Sequence, residues 1–264
     1  MNANQEWIYG SSQPIENSRR FASIRGWIFS ISMKRLFFFM AGGLLASCAG
    51  PKLPGTPRVR QAVLVHGFGE TGVAFGVLKR RLEAHGIRCY VPRLKPADGR
   101  GGLENIAVLL KHDIDSEFGP DSPLAIVSFS MGGIVSRYYL QELGGAARCD
   151  TFITVSSPHH GTRTAWLFPT QGAAEMRPGS PLLAKLAASQ DRLGTMPVVS
   201  YRTRLDLVII PPRSSVWDRA ENLEFPVILH PLMLSSPSVI RDIERRLLIP
   251  PVQKSKIQNH HSSI

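Results

Sequence analysis

The sequence predicts an α/β fold, a mostly parallel six-stranded sheet with helices on both faces. Three observations predict it. Apolar runs of strand length alternate with stretches of helical period from residue 61 to residue 248. One run, LAIVSF at 124–129, is apolar at five of six positions, the mark of a strand covered on both faces. That run passes without a spacer into Ser130, Gly132 and Gly133 and then into a helical pattern at Ile134, Val135, Tyr138 and Tyr139.

A strand that turns at once into a helix around a serine is a nucleophile elbow. The turn is tight, so small residues are needed two before and two after the serine, and Ser128 and Gly132 meet that demand. The common pattern is Gly-x-Ser-x-Gly, and Ser128 departs from its first glycine. The bend lifts the Ser130 hydroxyl above the sheet. It also aims the Met131 N–H and the start of the helix at developing negative charge.

The remaining elements follow in order. Residues 61–69 (QAVLVHGFG) form a strand ending in His66-Gly67, with His66 a structural residue that fixes the loop. Residues 71–85 form a helix with Phe75, Leu78 and Leu82 on its apolar stripe, stopped by Gly86. A strand at 87–94 holds Cys89. A helix at 103–118 buries Leu103, Ile106, Leu110 and Ile114, and Gly119-Pro120 end it. After the elbow helix, closed by Gly144-Gly145, a strand at 151–156 leads into Ser157-Pro158-His159-His160-Gly161-Thr162.

Residues 163–196 show no strand pattern. They hold Trp166, Leu167, Phe168 and an amphipathic piece at 180–193, on the elbow side where a substrate cap would sit. A plain core helix over 182–188 fits the same pattern. A strand at 197–202 runs into Arg204-Leu205-Asp206, and a last strand at 225–229 has His230 at its tip. Ser236-Pro237 open a final helix at 238–248, with Asp242 and Glu244 early in it. Residues 250–264 are a polar tail read as disordered.

Residues 1–32 are mixed polar without periodicity and read as a non-native or disordered leader, with translation expected to begin at Met33. Met33-Lys34-Arg35 is a basic head, and LFFFMAGGLL at 36–45 is an apolar run of signal-peptide length. Leu45-Ala46-Ser47-Cys48 resembles the lipobox of a bacterial lipoprotein signal, which implies a signal peptide over 33–47 and lipidation of Cys48. A membrane helix from about residue 26 would instead place Lys34 and Arg35 near mid-bilayer, at about 2.5–3.5 kcal/mol for each charge. Residues 48–58, with three prolines, read as a tether that would keep the active site near lipid, and residues 59–249 as the folded domain.

The 264 residues carry a net charge of +11. Residues 1–47 hold five basic and two acidic side chains, which leaves +8 for the rest. The basic residues are scattered without a nucleic-acid motif, so a solvated basic face and no nucleic-acid partner are expected. The three cysteines show no Cys-x-x-Cys spacing, which speaks against a zinc ribbon or a thioredoxin motif. Cys89 and Cys149 are expected to stay unpaired, because two strands separate theirs in the usual sheet order.

With a serine at an elbow, its partners belong at later strand ends, in the order Ser, Asp or Glu, His. Only His230, His260 and His261 lie beyond Asp206, and two of these fall in the tail. His230 is therefore the base and Asp206 the acid, with Asp218 in reserve. His230 accepts the serine proton, and Asp206 holds the imidazole in the right tautomer.

The segments VLVHGFG, SFSMGG, SSPHHGT, RLDLVIIPPRSS and LHPLMLSSPSV resemble those of bacterial lipases and esterases of the α/β-hydrolase superfamily, in particular the small triacylglycerol lipases and their deacylase relatives. The resemblance covers residues 59–248. It implies carboxylic-ester hydrolysis through an acyl-enzyme on Ser130, no cofactor and no metal, and a compact form of the fold. It also implies that the Phe68 N–H is the second oxyanion donor beside that of Met131. The expected protein is a monomeric serine esterase or lipase, held by Cys48 at the periplasmic face of an outer membrane. An acyltransferase or thioesterase would use the same triad, and a catalytically silent binding lipoprotein would share the scaffold.

Overall fold

A computed structural model describes residues 53–249. The leader at 1–32, the signal at 33–47, Cys48, the first part of the tether and the tail at 250–264 lie outside the described residues. Eight strands are present among the described residues: β1 Thr56–Pro57, β2 Gln61–Val65, β3 Arg88–Tyr90, β4 Leu124–Phe129, β5 Cys149–Val155, β6 Val198–Arg202, β7 Glu221–Glu224 and β8 Leu248–Ile249. The helices are α1 Gly76–Ala84, α2 Leu103–Phe118, α3 Met131–Glu142, α4 Gln171–Glu175, α5 Pro181–Ala188 and α6 Pro237–Leu247.

Six strands make one parallel sheet in the order β3-β2-β4-β5-β6-β7, which is the α/β architecture the alternation predicts. The chain starts at β2, steps outward to β3, then crosses back over β2 to reach β4 and proceeds the other way. The reversal between β2 and β4 opens a crevice at their carboxyl ends, where ligands of open α/β sheets bind. Ser130 follows β4 at that crevice, and Gly67-Phe68 follow β2.

Successive strand residues point to opposite faces, and the core divides accordingly. Val63, Val65, Leu124 and Ile126 pack with Leu103, Ile106, Leu110 and Ile114 of α2, Ile134 and Val135 of α3, and Leu182, Leu183 and Leu186 of α5. Ala62, Leu64, Ala125, Val127 and Phe129 pack with Leu78 and Leu82 of α1 and Val239, Ile240, Ile243 and Leu247 of α6. All six residues of β4 are buried, and each large apolar side chain so buried contributes about 1.5–3 kcal/mol. On the second face, Arg81 of α1 donates from Nε and Nη2 to the two carboxylate oxygens of the buried Glu244 of α6, at 2.6 and 2.8 Å.

Helix α2 has the boundaries its pattern predicts, whereas several strands differ. The strand expected at 61–69 ends at Val65, and the one expected at 87–94 spans only β3. Val91 is followed by Pro92, which has no N–H to extend the ladder. The helix expected at 71–85 begins with a 3₁₀ turn, Val73–Phe75, before α1.

The last strand is corrected outright: it is the polar segment Glu221–Glu224, and 225–229 is not a strand. Phe225 still donates to the Arg202 carbonyl at 2.9 Å, but Pro226 then interrupts pairing. β7 lies at the sheet edge, where three of its four residues are exposed, so it needs no apolar run. A short sheet not expected from the sequence joins β1 to β8, with Thr56 opposite Ile249.

The segment 163–196 divides in two. Trp166 and Leu167, in a 3₁₀ turn, are exposed. Helix α5 instead packs its leucines into the core beside α3, the alternative the pattern allowed. A buried polar cluster holds it there. Arg137 of α3 donates to Leu186 O at 2.9 Å and to Gln141 Oε1 at 3.0 Å, and its guanidinium lies 4.2 Å from the centre of the Trp217 ring. Burial lowers the Arg137 pKa to about 9, so the group stays charged at neutral pH.

Cys89 and Cys149 are free and buried, on β3 and β5 with β2 and β4 between them, and burial pushes both thiols up to about 12.

Candidate active site

Ser130 joins β4 to α3 with φ 54° and ψ −125°, a conformation that costs a non-glycine residue about 1–3 kcal/mol. The surroundings hold it there. Its N–H donates to Val155 O of β5 at 2.9 Å, and its carbonyl accepts from Gly133 N at 3.0 Å. The two following glycines allow the helix to start this close to the sheet. A Cβ on Gly132 would lie 2.4 Å from Val65 O and 2.5 Å from His66 O, and one on Gly133 would lie 2.1 Å from Ser157 Oγ. Ser128 fits in place of glycine because its hydroxyl has a buried partner, Ser136 Oγ of α3 at 2.7 Å.

Asp206 and His230, predicted from their order along the chain, meet in space. Asp206 Oδ2 lies 2.8 Å from His230 Nδ1, and both side chains are almost wholly buried. Asp206 Oδ1 accepts the N–H groups of Val208 at 2.9 Å and Ile209 at 2.8 Å. Burial alone would raise this carboxyl. The hydrogen bond and charge of His230, with the two backbone N–H groups, outweigh it and hold Asp206 below the usual carboxylate range. The reserve acid, Asp218, is exposed in the loop before β7 and has no such partner. The His230 ring packs against that of Phe129, the residue before Ser130, with centroids 4.6 Å apart.

Loops carry both groups, and hydroxyls that the sequence reading did not single out tie those loops down. Thr203 donates to Val227 O, linking the acid loop to the base loop. Thr162 donates to Val208 O at 2.9 Å and accepts from Ile210 N at 2.8 Å, linking the acid loop to the segment after β5. Their signal in the sequence is only a threonine next to each loop. His66 accepts the Leu94 N–H on Nε2 at 3.2 Å, which leaves Nδ1 to donate to Gly67 O at 3.0 Å. Burial lowers its pKa, so it is a neutral brace for the loop after β2. The N–H groups of Phe68 and Met131, the expected oxyanion donors, make no hydrogen bond among the described residues. No cluster of three metal-ligating side chains occurs among the described residues.

This sheet order, with a serine elbow after its central strand, defines an α/β-hydrolase fold, and solved structures agree. A Bacillus licheniformis lipase in its mature form superposes with a TM-score of 0.61 at 16% identity, over 74% of this chain and 94% of that one. A monoacylglycerol lipase from Paleococcus ferrophilus gives 0.54 at 16% identity over 73% and 95%. A pyrethroid hydrolase from Sphingobium faniae gives 0.51 at 14% identity over 71% and 96%. No protein-family model and no curated protein matches the sequence.

Glycine at position 130 relieves the backbone strain, so Ser130→Gly should be more stable than Ser130→Ala by about 1 kcal/mol. Urea unfolding of the two variants measures this, and equal stability would show that the elbow stores no strain. Asp206→Asn should lower kcat by about 10⁴-fold through loss of the correct imidazole tautomer, while Asp218→Asn stays within a few-fold of wild type. Folding lowers the Asp206 carboxyl from its ordinary value near 3.9. The stability it contributes is therefore present above about pH 4 and lost as pH falls through the lowered value. Unfolding curves of wild type and Asp206→Asn across that range should converge at the acid end.

Proposed function

We propose that this protein is a serine carboxylic-ester hydrolase. The observation that carries the reading is Ser130, held strained at the crevice, with its neighbour Phe129 packed on a histidine that is bonded to a buried carboxylate. His230 takes the Ser130 proton as its oxygen attacks the ester carbon. The carbonyl oxygen becomes an oxyanion facing the N–H groups of Phe68 and Met131. As the tetrahedral adduct collapses, the C–O bond to the alcohol breaks, the alcohol leaves with the proton from His230, and an acyl group remains on Ser130. Water repeats the sequence and releases the acid.

An apolar acyl chain suits the surroundings. Six of the largest exposed apolar side chains, Val73, Trp166, Leu167, Leu205, Leu207 and Ile228, belong to segments that follow the carboxyl ends of strands. An apolar acyl chain approaching Ser130 from that end of the sheet would find apolar side chains to cover it. Two of the similar solved structures are lipases, which supports the same reading.

The reading extends to the cell envelope. Cys48 is the lipidated N-terminus of the mature protein, supported by the basic Met33-Lys34-Arg35, the apolar run at 36–45 and Leu45-Ala46-Ser47 before the cysteine. Ala49 in place of the aspartate that retains such proteins at an inner membrane favours the periplasmic face of an outer membrane. Acyl chains on one cysteine give stable anchoring, at about 0.8 kcal/mol for each buried CH₂. Among the described residues no helix is long and apolar enough to cross a membrane. Residues 56–58 lie beside 247–249 at the start of β2, the end of the sheet opposite Ser130. A tether from Cys48 would thus enter the domain at the end of the sheet opposite Ser130.

Hydrolysis of p-nitrophenyl esters of increasing chain length tests the chemistry. Wild type should turn over and be labelled by a fluorophosphonate, and Ser130→Ala should lose at least about 10³-fold in kcat and all labelling. Near-wild-type rates in Ser130→Ala would remove the serine mechanism. Mass spectrometry of the membrane fraction should find a diacylated or triacylated N-terminal Cys48, and Cys48→Ser should be released from membranes. A different mature N-terminus would rule out the anchor.

A further inference from the structure

Glu70 is the one acidic side chain in the loop after β2, and neither the triad nor the core uses it. Its Oε2 accepts the Gly67 N–H at 3.2 Å, and its own N–H returns to Gly67 O at 3.4 Å, so residues 67–70 close on themselves. Gly69 N–H is taken by Ala97 O at 2.8 Å, while the Phe68 N–H between these bonds has no partner among the described residues. The loop lies against the nucleophile. A Cβ on Gly67 would be 3.0 Å from Ser130 Cβ, 3.3 Å from Phe129 Cδ1 and 3.5 Å from Glu70 Oε2. Three of the loop's four N–H groups are thus consumed internally or by Ala97, and the fourth is left for a ligand.

Resting on the hydrolase reading above, we propose that Glu70 is a positioning residue for the oxyanion site: by holding the Gly67 N–H it keeps the 67–70 turn closed and the Phe68 N–H presented to the oxyanion. A backbone turn alone leaves Gly67 N–H unpaired and free to compete for the same oxygen, and the donor at Phe68 loses its fixed direction. Donors aimed in advance at the developing charge are what such a site requires. Burial raises the Glu70 carboxyl, while the Gly67 N–H and the charge of His230 work the other way.

The test compares Glu70→Ala, which removes the acceptor, with Glu70→Gln, which keeps a carbonyl oxygen for Gly67 N–H and removes the charge. Each is assayed beside wild type on a short p-nitrophenyl ester and with a trifluoromethyl ketone, whose adduct on Ser130 carries an oxyanion. Glu70→Ala should lose about 10- to 100-fold in kcat, with KM within about twofold, and should bind the ketone more weakly by a similar factor. Glu70→Gln should recover most of both losses. Thermal melts identify a variant that has simply lost its fold; if Glu70→Ala has, Glu70→Gln carries the test on ketone affinity. Unchanged kcat and ketone affinity in Glu70→Ala, or equal losses in Glu70→Gln, would overturn the assignment while leaving an active hydrolase. A wild type that neither turns over esters nor forms the ketone adduct would overturn the hydrolase reading and this inference together.

Discussion

The arrangement depends on one constraint, a serine forced to φ 54° between a buried strand and a helix. Nothing in the local chain favours that conformation. It persists because β4 is paired on both sides, by β2 and β5, and because Val155 O takes the Ser130 N–H. The cost of about 1–3 kcal/mol is small beside the burial of β4 and α3. The reward is a hydroxyl raised from the sheet and a helix N-terminus directly behind it. Gly132 and Gly133 are needed because α3 must begin within about one atom's width of Val65 and Ser157.

The Asp206 carboxylate and the His230 imidazole depend on long-range ties instead. Asp206 and His230 stand 24 residues apart on different loops, and each loop would wander if left to itself. Thr203 and Thr162 hold the acid loop from two sides, and the Val208 and Ile209 N–H groups fix the carboxylate that fixes the imidazole. These donors, with the His230 ring, give both oxygens of Asp206 a hydrogen-bond partner. The buried acid therefore stays ionised on hydrogen bonds and the histidine alone.

Placement of polar groups follows the same economy elsewhere. Arg137 is buried without an acid, balanced by Leu186 O, Gln141 and the face of Trp217, and in return α5 is locked onto α3. With α5 so committed to the core, the part of the insertion left at the surface is the turn carrying Trp166 and Leu167. Phe168 beside it packs on Phe68 with ring centroids 5.0 Å apart, joining that turn to the loop after β2.

The sequence by itself determined the sheet's class, helix α2 and the Ser130 elbow, because burial on both faces and a glycine-flanked turn leave a local record. It also yielded Asp206 and His230 as candidates, since their order along the chain limits the choice. Only the tertiary structure shows that Asp206, not Asp218, is bonded to His230, for a hydrogen bond between distant loops has no periodicity to read. Edge strand β7 escaped detection because an exposed edge needs no apolar run, and the apolar run that stood in for it contains Pro226. Glu70, Thr162 and Thr203 were equally invisible: each is an ordinary polar loop residue until the fold brings its partner to it.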